Sequence, residues 1–197
     1  MPRASAEDAA RTARSILDTA TALFAESGFA AVALEDVAAA AGVTRGAVYH
    51  HYGSKRGLFT AVVAHLQERV ASAVVAAADQ AGADASAQLR AGCIAFLDAV
   101  TDASAVRTLL VDAPAVIGWA EWRQLDAEHS VVHLREALAA AGVTGALLEP
   151  LTAMLSGAMN DAALWLAEHP GDSAARAAAH RSLALLLDAA LASASAS

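Results

Sequence analysis

The amino-acid sequence predicts an all-α protein, and three observations lead to that prediction. Apolar residues recur at helical spacing along most of the 197-residue chain. No stretch alternates polar and apolar residues long enough to be a strand. Gly, Pro, Ser and Thr stand where the helical patterns begin and end. We expect about nine helices, divided between a three-helix unit over 1–54 and a larger helical domain over 55–197.

The first three helices are predicted to form a helix-turn-helix unit. Apolar residues at i, i+3, i+4 and i+7 indicate a first helix over 11–26 that stops near Gly28. A short second helix closes at Gly42. Thr44 is a good N-cap for a third helix that ends near Tyr52. A tight turn between the second and third helices is the feature that defines the motif.

The rest of the chain predicts six more helices. Ser54 caps a fourth helix, which continues to about Ala78 and joins the two units. A linker over 81–86 follows it. The later helices are expected over 87–100, over 107–111 with a break at Pro114, over 117–141, over 150–169 with Pro150 in its first position, and over 173–192 with Ser173 as its cap.

The charge of the chain is unevenly distributed. The net charge is −8, yet residues 1–60 hold six Lys or Arg against six Asp or Glu. The whole net charge therefore lies in the remainder. Because an acidic protein lacks the overall basic character of a nucleic-acid-binding protein, a DNA-binding hypothesis depends on where the cations lie.

The composition predicts a cytoplasmic protein that does not enter a membrane. Hydrophobic residues make up 57% of the chain, but the longest stretch without Asp, Glu, Lys or Arg is about 12 residues, over 137–148. A membrane span needs roughly 20 apolar residues. The single cysteine, Cys93, cannot form a disulfide within the chain, which fits a reducing compartment.

The segment 42–55, GVTRGAVYHHYGSK, has the side chains that a DNA-reading helix needs. Arg45 can bind guanine bidentately, and Gly46 leaves the backbone free to approach the groove wall. The start of the fourth helix has free N–H groups and a positive dipole end, which form an anion site together with Ser54 and Lys55. The other donors that can reach phosphates are Thr44, Tyr49, His50 and His51.

Residues 11–60 resemble the N-terminal domain of the TetR/AcrR family of bacterial transcriptional regulators. The pattern of that family is G-V-[ST]-x-G-x-[LV]-Y-x-[HY]-[FY]-x-[ST/N]-K-x-x-L. Its fixed positions are met by Gly42, Val43, Thr44, Gly46, Val48, Tyr49, His51, Tyr52, Ser54, Lys55 and Leu58. The resemblance covers about a quarter of the chain. It implies a ligand-responsive regulator, most often a repressor, that binds a palindromic DNA operator as a homodimer and is not an enzyme.

The resemblance also implies individual roles. By position, Thr44, Tyr49, His51 and Lys55 hold phosphates, while Arg45, Gly46 and His50 face bases. Tyr52 stands where Phe usually packs and is expected in the core. One departure is that Val32 and Ala33 occupy the start of the second helix, where the family usually has Thr or Ser. This departure predicts that a cap and a phosphate contact are missing.

A second candidate region is the predicted helix over 117–141. At α-helical spacing, one face carries Trp119, Trp122, Asp126, His129 and His133. These residues are interpreted in three ways, as a packed polar seam, as one wall of an effector pocket, or as a metal site built on the i, i+4 His pair. The pocket interpretation adds Phe96, Met154, Met159, Asn160 and Trp165. We expect no cofactor, and the effector is unidentified.

The last two predicted helices carry wide apolar faces, which favour a four-helix interface between two copies of the chain. The candidate interface residues are Leu155, Gly157, Ala158, Ala162, Leu183, Leu186 and Leu187. Burial within one copy is the alternative for part of each face. Two rival functions stay open at this stage. One is an enzyme or metal-binding protein that uses Asp126, His129 and His133, and the other is a DNA-binding architectural protein without sequence preference.

Overall fold

The computed structural model describes residues 2–101 and 105–195, and these are helical almost throughout, with no strand among them. The N-terminal helices are α1 (Pro2–Ala31), α2 (Leu34–Ala40), α3 (Arg45–Tyr52) and α4 (Lys55–Gln80). The others are α5 (Ala85–Thr101), a π-helical segment (Arg107–Asp112), α6 (Ala113–Val116), α7 (Trp119–Asp126), a second π-helical segment (Ala127–Val131), α8 (Val132–Ala140), a 3₁₀ turn (Gly145–Leu147), α9 (Leu148–Ala167) and α10 (Ser173–Ser195). The predicted all-α class is confirmed.

The number of helices also agrees with the sequence. The first π-helical segment runs directly into α6, and α7 runs through the second π-helical segment into α8. Counting each of these runs as one helix gives nine helices in the described parts of the chain. Residues 1, 102–104 and 196–197 belong to the two predicted domains but lie outside the described residues.

The N-terminal unit is held by an aromatic cluster between α1 and α4. Phe24 of α1 and Phe59 of α4 are fully buried, with ring centroids 5.1 Å apart in edge-to-face geometry. Phe29 lies against both rings, at 5.9 Å and 4.9 Å. Val48 is buried on the inner face of α3. Burial of these large side chains fixes how α3 is presented.

Capping residues fix both ends of α3, as the sequence predicts. Thr44 Oγ1 accepts a hydrogen bond from the Ala47 N–H at 3.2 Å. Gly53 ends the helix with φ of 72°, in the region that favours glycine. Ser54 Oγ then accepts from the Gly57 N–H at 2.9 Å and caps α4. The α3–α4 corner is therefore determined by local signals.

Helix α4 runs from the N-terminal unit into the body of the protein. Its buried side chains extend from Leu58 to Val70, and it packs most extensively on α5. At Gly92 of α5 an added Cβ would lie 3.3 Å from Val74 Cγ1, so the two helices approach closely. By length and composition alone α4 is the one helix in the described ranges that could cross a membrane. Core helices meet the same criterion, and the buried side chains of α4 belong to the main hydrophobic core.

Several predicted helix ends are wrong. The predicted break at Pro114 does not occur, because Pro114 lies in the first turn of α6, where its missing N–H is tolerated. The chain turns instead at Gly118, with φ of 90°. Helix α9 begins two residues before Pro150. The predicted cap Ser173 is already helical, and Asp172 Oδ1 accepts from the N–H groups of residues 174 and 175.

Candidate nucleic-acid interface and effector cavity

The outer face of α3 is exposed. Thr44, Arg45, Gly46 and His50 are exposed, and Tyr49 is 45% exposed. Val48, on the opposite face of the same helix, is 1% exposed. The caps and the aromatic core thus hold a helix whose polar side chains face outward, as a major-groove helix requires.

Arg45 is held by a neighbour that the sequence did not indicate. Its Nη1 lies 3.0 Å from Glu35 Oε1 of α2, and its guanidinium lies 5.5 Å from the centre of the Tyr49 ring. Both side chains of the ion pair are more than half exposed. Exposed pairs of this kind contribute little to stability, so Arg45 can exchange Glu35 for another acceptor at low cost.

The start of α4 lies beside this face, and its residues divide between exposure and packing. Ser54 is exposed, whereas Lys55 and His51 are half-buried. Lys55 Nζ donates to the Ala30 carbonyl at 3.3 Å and lies 4.4 Å from the Phe29 ring centre. An ammonium has three donors, so this tether leaves capacity for a phosphate.

Tyr52 packs inward, as predicted. Its hydroxyl donates to the Ala13 carbonyl at 2.7 Å. Burial, and secondarily the charge of Asp18, raise the pKa of Tyr52. At the start of α2 no side chain of residue 33 caps the helix, in agreement with the predicted missing cap. Asp36 Oδ2 accepts from the N–H of Ala33 at 2.9 Å, which satisfies the N–H of the capping position but not those of the first turn.

Hydrogen bonds tie the N-terminal unit to the body. The Phe29 N–H donates to Asp112 Oδ2 at 2.9 Å. Arg56, the second residue of α4, donates to the Ile117 carbonyl and to Glu121 Oε2, both at 3.0 Å. Two regions of the body that lie far in sequence from the N-terminal unit are thus in direct contact with it.

A cavity of about 280 Å³ lies in the body between α4, α5, α8 and α9. Three of the predicted pocket residues, Phe96, His133 and Met159, line it. Cys93 also lines it, and burial raises the pKa of its thiol to about 12. The walls are mostly apolar, with a few polar groups at the edge, which is the usual composition of a small-molecule site.

A much smaller cavity of about 10 Å³ lies beside it, between α4, α5, α7, α9 and the two π-helical segments. The predicted residues Trp122, Asp126 and Asn160 line this cavity together with Gln67 of α4. Phe96 and Ser130 line both cavities. Asp126 is 5% exposed, and its Oδ2 accepts from Arg123 Nη1 at 3.1 Å. Burial raises the pKa of Asp126, while Arg123 lowers it by a smaller amount.

The remaining predicted pocket residues lie elsewhere. Trp119 and Met154 are 65% and 69% exposed, and Trp165 is 42% exposed in a groove between α9 and α10. His129 is half-buried and lines neither cavity. The expectation of one continuous face is wrong, because the π-helical segment Ala127–Val131 widens the turn and rotates His129 and His133 relative to Trp122. Among the described residues no group of three potential metal ligands occurs.

Two family models match the chain. One, described as bacterial regulatory proteins of the tetR family, matches residues 16–62. The other, described as a tetracyclin repressor-like C-terminal domain, matches residues 86–190, just over half of the chain. The chain belongs to the TetR family. The resemblance stated from the sequence is therefore confirmed, and TetR-family proteins are transcriptional regulators rather than enzymes.

Curated TetR-family relatives match mainly at the N-terminal end. The HTH-type transcriptional regulator AcrR of Shigella flexneri is 42% identical over 62 residues, which cover 32% of this chain and 29% of AcrR. An HTH-type transcriptional repressor of Mycobacterium tuberculosis is 48% identical over 54 residues, covering 27% of this chain and 29% of that protein. The match thus spans less than a third of the length of each of these two relatives.

Solved TetR-family structures match over most of the chain. A TetR-family transcriptional regulator from Pectobacterium atrosepticum is 31% identical with a TM-score of 0.72, and the match covers 92% of this chain and 94% of that one. The fatty acid degradation regulator FadR from Bacillus halodurans has a TM-score of 0.74 at 14% identity, covering 88% and 97%. The second likeness concerns the fold alone.

The candidate dimer residues of this TetR-family chain divide into two groups. Leu155, Leu183 and Leu187 are at most 5% exposed and pack inside the chain's own core, as the alternative of burial within one copy expects. Gly157 and Leu186 are exposed, and Ala158 and Ala162 are half-buried. The second group belongs to the outer side of α9 and α10, where Met154, Trp165 and Leu185 are also exposed.

Sequence reasoning missed Gln67, Glu35 and Ser130. Gln67 had a usable signal, because it is a polar residue in the buried stripe of α4, between Leu66 and Val70. Glu35 and Ser130 had none, since their partners come from other helices or depend on the π-helical segment.

Proposed function

We propose that this TetR-family protein is a sequence-specific DNA-binding repressor, which binds a palindromic operator as a homodimer and is released by a small-molecule effector. The observation that carries the proposal is the exposed face of α3 beside the capped start of α4. Thr44, Tyr49, His51 and Lys55 are assigned to phosphates, and Arg45, Gly46 and His50 to bases. The protein acts in the cytoplasm, where its DNA lies.

The charge distribution supports this orientation. The acidic residues in excess lie beyond residue 60, so repulsion from phosphates disfavours every approach that brings the body against DNA. The N-terminal unit is neutral overall and places Arg45 and Lys55 next to the exposed face. Electrostatics therefore selects the face that the geometry already presents.

The outer side of α9 and α10 supports dimerisation. A groove of about 380 Å³ between these helices is lined by small and apolar residues, including Ala158, Ala162, Trp165 and Leu186. A second copy can fill it with the same face under twofold symmetry. Two recognition helices held at a fixed spacing then read two half-sites, which a single short helix cannot do tightly.

Changing Leu186→Glu tests the dimer. The variant should be monomeric by size-exclusion chromatography with light scattering and should bind operator DNA at least 100-fold more weakly, because only one half-site is read. Leu147→Glu is the matched control, since Leu147 is 42% exposed on the 3₁₀ turn outside this face. A Leu186→Glu protein that stays dimeric would exclude this interface.

Helix α4 supports a route from effector to DNA. Its first residues form the phosphate site, and its distal Val74 and Ala78 line the larger cavity. The Phe29–Asp112 and Arg56–Ile117 hydrogen bonds connect the same unit to the segment 107–122, whose Leu109, Leu110 and Trp122 line the smaller cavity. An effector that prefers one orientation of α4 shifts the spacing of the two recognition helices and lowers operator affinity.

DNA binding is tested by fluorescence anisotropy with duplex DNA that flanks the protein's own gene, repeated across salt concentrations. We expect affinity to fall steeply with salt and to exceed that for a shuffled duplex. Lys55→Ala should weaken binding to all sequences, whereas Arg181→Ala, which removes the same charge from an exposed site on α10, should not. Equal affinity for the shuffled duplex would favour an architectural protein instead.

A further inference from the structure

The small cavity is lined by buried hydrogen-bond acceptors that have no donor among the described residues. Gln67 is 4% exposed, and its Oε1 has no hydrogen-bond partner in the described ranges. Asn160 Oδ1 is also buried and has no hydrogen-bond partner among the residues that the structure describes. Both residues line the small cavity, together with the carboxylate-bearing Asp126. Native proteins rarely leave such groups unpaired, so two unpaired acceptors on one cavity indicate that a hydrogen-bond donor belongs there.

We infer that the effector is an aromatic or aliphatic amine whose ammonium group lies in the small cavity, where Gln67 Oε1, Asn160 Oδ1 and Asp126 accept its hydrogen bonds. This inference rests on the proposed effector response and adds the chemical class of the effector. The apolar part of the molecule occupies the larger cavity, on the other side of Phe96.

The volumes of the two cavities fit an ammonium group in the smaller one and a small apolar group in the larger one. The smaller one, at about 10 Å³, holds one water or a head group of similar size. The larger one, at about 280 Å³, is near the lower limit for small-molecule sites, so the apolar part is small. Phe96 and Ser130 line both, so a ligand that displaces the Phe96 ring can reach from one to the other.

The charges around the cavities favour a cation over an anion. Asp79 and Glu136 line the larger cavity, and Asp126 lines the smaller one. Arg123 is the cation next to Asp126, and its side chain is 37% exposed. Trp122 and Phe96 also line the small cavity, and the Arg123 guanidinium lies 5.9 Å from the centre of the Trp122 ring, so a cation is accepted beside this ring. A carboxylate in the same place would be repelled by the Asp126 carboxylate and could not pair with the two free amide oxygens of Gln67 and Asn160.

The test compares three probes with the same apolar part, 4-phenylbutylamine, 4-phenylbutan-1-ol and 4-phenylbutanoate, by isothermal titration calorimetry on the full-length protein. We expect the amine to bind about 10- to 100-fold more tightly than the carboxylate, with the alcohol between them. Equal affinities for all three, or tightest binding of the carboxylate, would overturn the inference. This ranking uses the unmodified protein and does not depend on any variant folding.

Variants then locate the head group. Asp126→Asn should lower amine affinity by about 10- to 100-fold and barely change alcohol affinity. Gln67→Leu should weaken both by removing an acceptor. Glu128→Gln is the matched control, because it removes the same charge from an exposed residue two positions away. An amine preference that survives both Asp126→Asn and Gln67→Leu would refute the assignment.

The same samples are assayed on operator DNA, which separates this inference from the proposed function. Amine binding with the expected preference but without DNA release would contradict the effector response and support the cavity assignment. Specific DNA binding without any amine preference would support the DNA-binding function and overturn the inference about the effector.

Discussion

Two segments of the chain are rich in aromatic residues and histidine, and they differ in what they expose. In residues 44–55 the side chains proposed to bind DNA lie outward, on a helix fixed by caps at both ends. In residues 119–133 Trp122 and Asp126 turn into the core, and only Trp119 of the aromatic pair stays outside. Two segments of similar aromatic and histidine content therefore differ in placement, since one presents its side chains at the surface and the other lines a cavity.

The difference arises because local capping residues determine one helix, whereas packing against other helices determines the other. Helix α3 is determined within a few residues by Thr44, Gly53 and Ser54, so its outer face needs no partner. The α7–α8 helix is ordered by packing on α4 and α9, and the π-helical segment between its two halves adjusts its register to those neighbours. A surface helix can be understood locally, whereas a cavity wall cannot.

Replacing each of the two tryptophans with alanine is the strongest test of whether Trp122 belongs to the core and Trp119 to the surface. Trp122→Ala removes a side chain that is 5% exposed and should lower the free energy of unfolding by about 3–5 kcal/mol. Trp119→Ala, three residues earlier and 65% exposed, should cost no more than about 1 kcal/mol. Urea unfolding followed by circular dichroism measures both. Similar losses for the two variants would mean that Trp122 is not a core residue.

Two glycines, Gly46 in α3 and Gly57 in α4, allow a similar comparison between an exposed and a packed position. At Gly57 an added Cβ would lie 2.2 Å from the Tyr52 carbonyl oxygen, and this backbone atom cannot easily move. Gly57→Ala should therefore destabilise the α3–α4 corner by about 1–3 kcal/mol. At Gly46 the nearest atom, Thr44 Oγ1, is 3.7 Å away. Gly46→Ala should fold with unchanged or slightly higher stability, because alanine is the better helix former.

DNA binding should respond to these glycine variants differently from stability. Gly46→Ala places a methyl group on the exposed face and is expected to weaken operator binding in a fully folded protein. Chemical unfolding and anisotropy are measured on the same preparations. A Gly46→Ala protein with normal operator affinity would remove Gly46 from the proposed base-facing set.

The helix-turn-helix was predictable to this level because its signals are short-range. Thr44 and Ser54 cap the helices that the sequence assigns to them, and Gly53 ends α3 in the backbone conformation that glycine favours. The helix order of the body was predictable for the same reason, since apolar periodicity is local. Its ends were less so, as Asp172 replaced Ser173 as the cap and Pro114 was absorbed into α6.

The cavities were only partly predictable, because they depend on which helices meet. Six of the ten predicted pocket residues line one of the two cavities, but Trp119, Met154, Trp165 and His129 do not. Spacing along one helix cannot reveal that a π-helical segment lies at Ala127–Val131. Nor can it show that Gln67 of α4 and Asn160 of α9 line the same cavity. Both facts are set by packing between elements distant in sequence.

Arg45 and Lys55 should differ in the kind of DNA affinity that they provide. Arg45→Ala should cost about 1–3 kcal/mol on the operator and relax the preference at one base position, because a bidentate guanine contact is lost. Lys55→Ala should weaken binding to all duplexes by a similar factor. The slope of the logarithm of affinity against the logarithm of salt concentration should become shallower by about one, because one phosphate contact is lost. Anisotropy with a set of single-base operator variants separates the two. An equal loss on every duplex for Arg45→Ala would contradict its assignment to a base.

Glu35 provides the subtlest test of how the exposed face is arranged. Its carboxylate lies 3.0 Å from Arg45 Nη1. Under the proposed DNA-binding mode Arg45 leaves Glu35 to reach a base, and the freed carboxylate repels the phosphates of any duplex bound at this face. Glu35→Gln removes that charge and should tighten binding to every duplex by about two- to tenfold, at a small cost in stability from the first turn of α2. Glu168→Gln, an exposed carboxylate of the body, is the control. If Glu35 instead positions Arg45 for readout, the variant will bind more weakly and lose base preference, as Arg45→Ala does, which anisotropy on the same operator variants will detect.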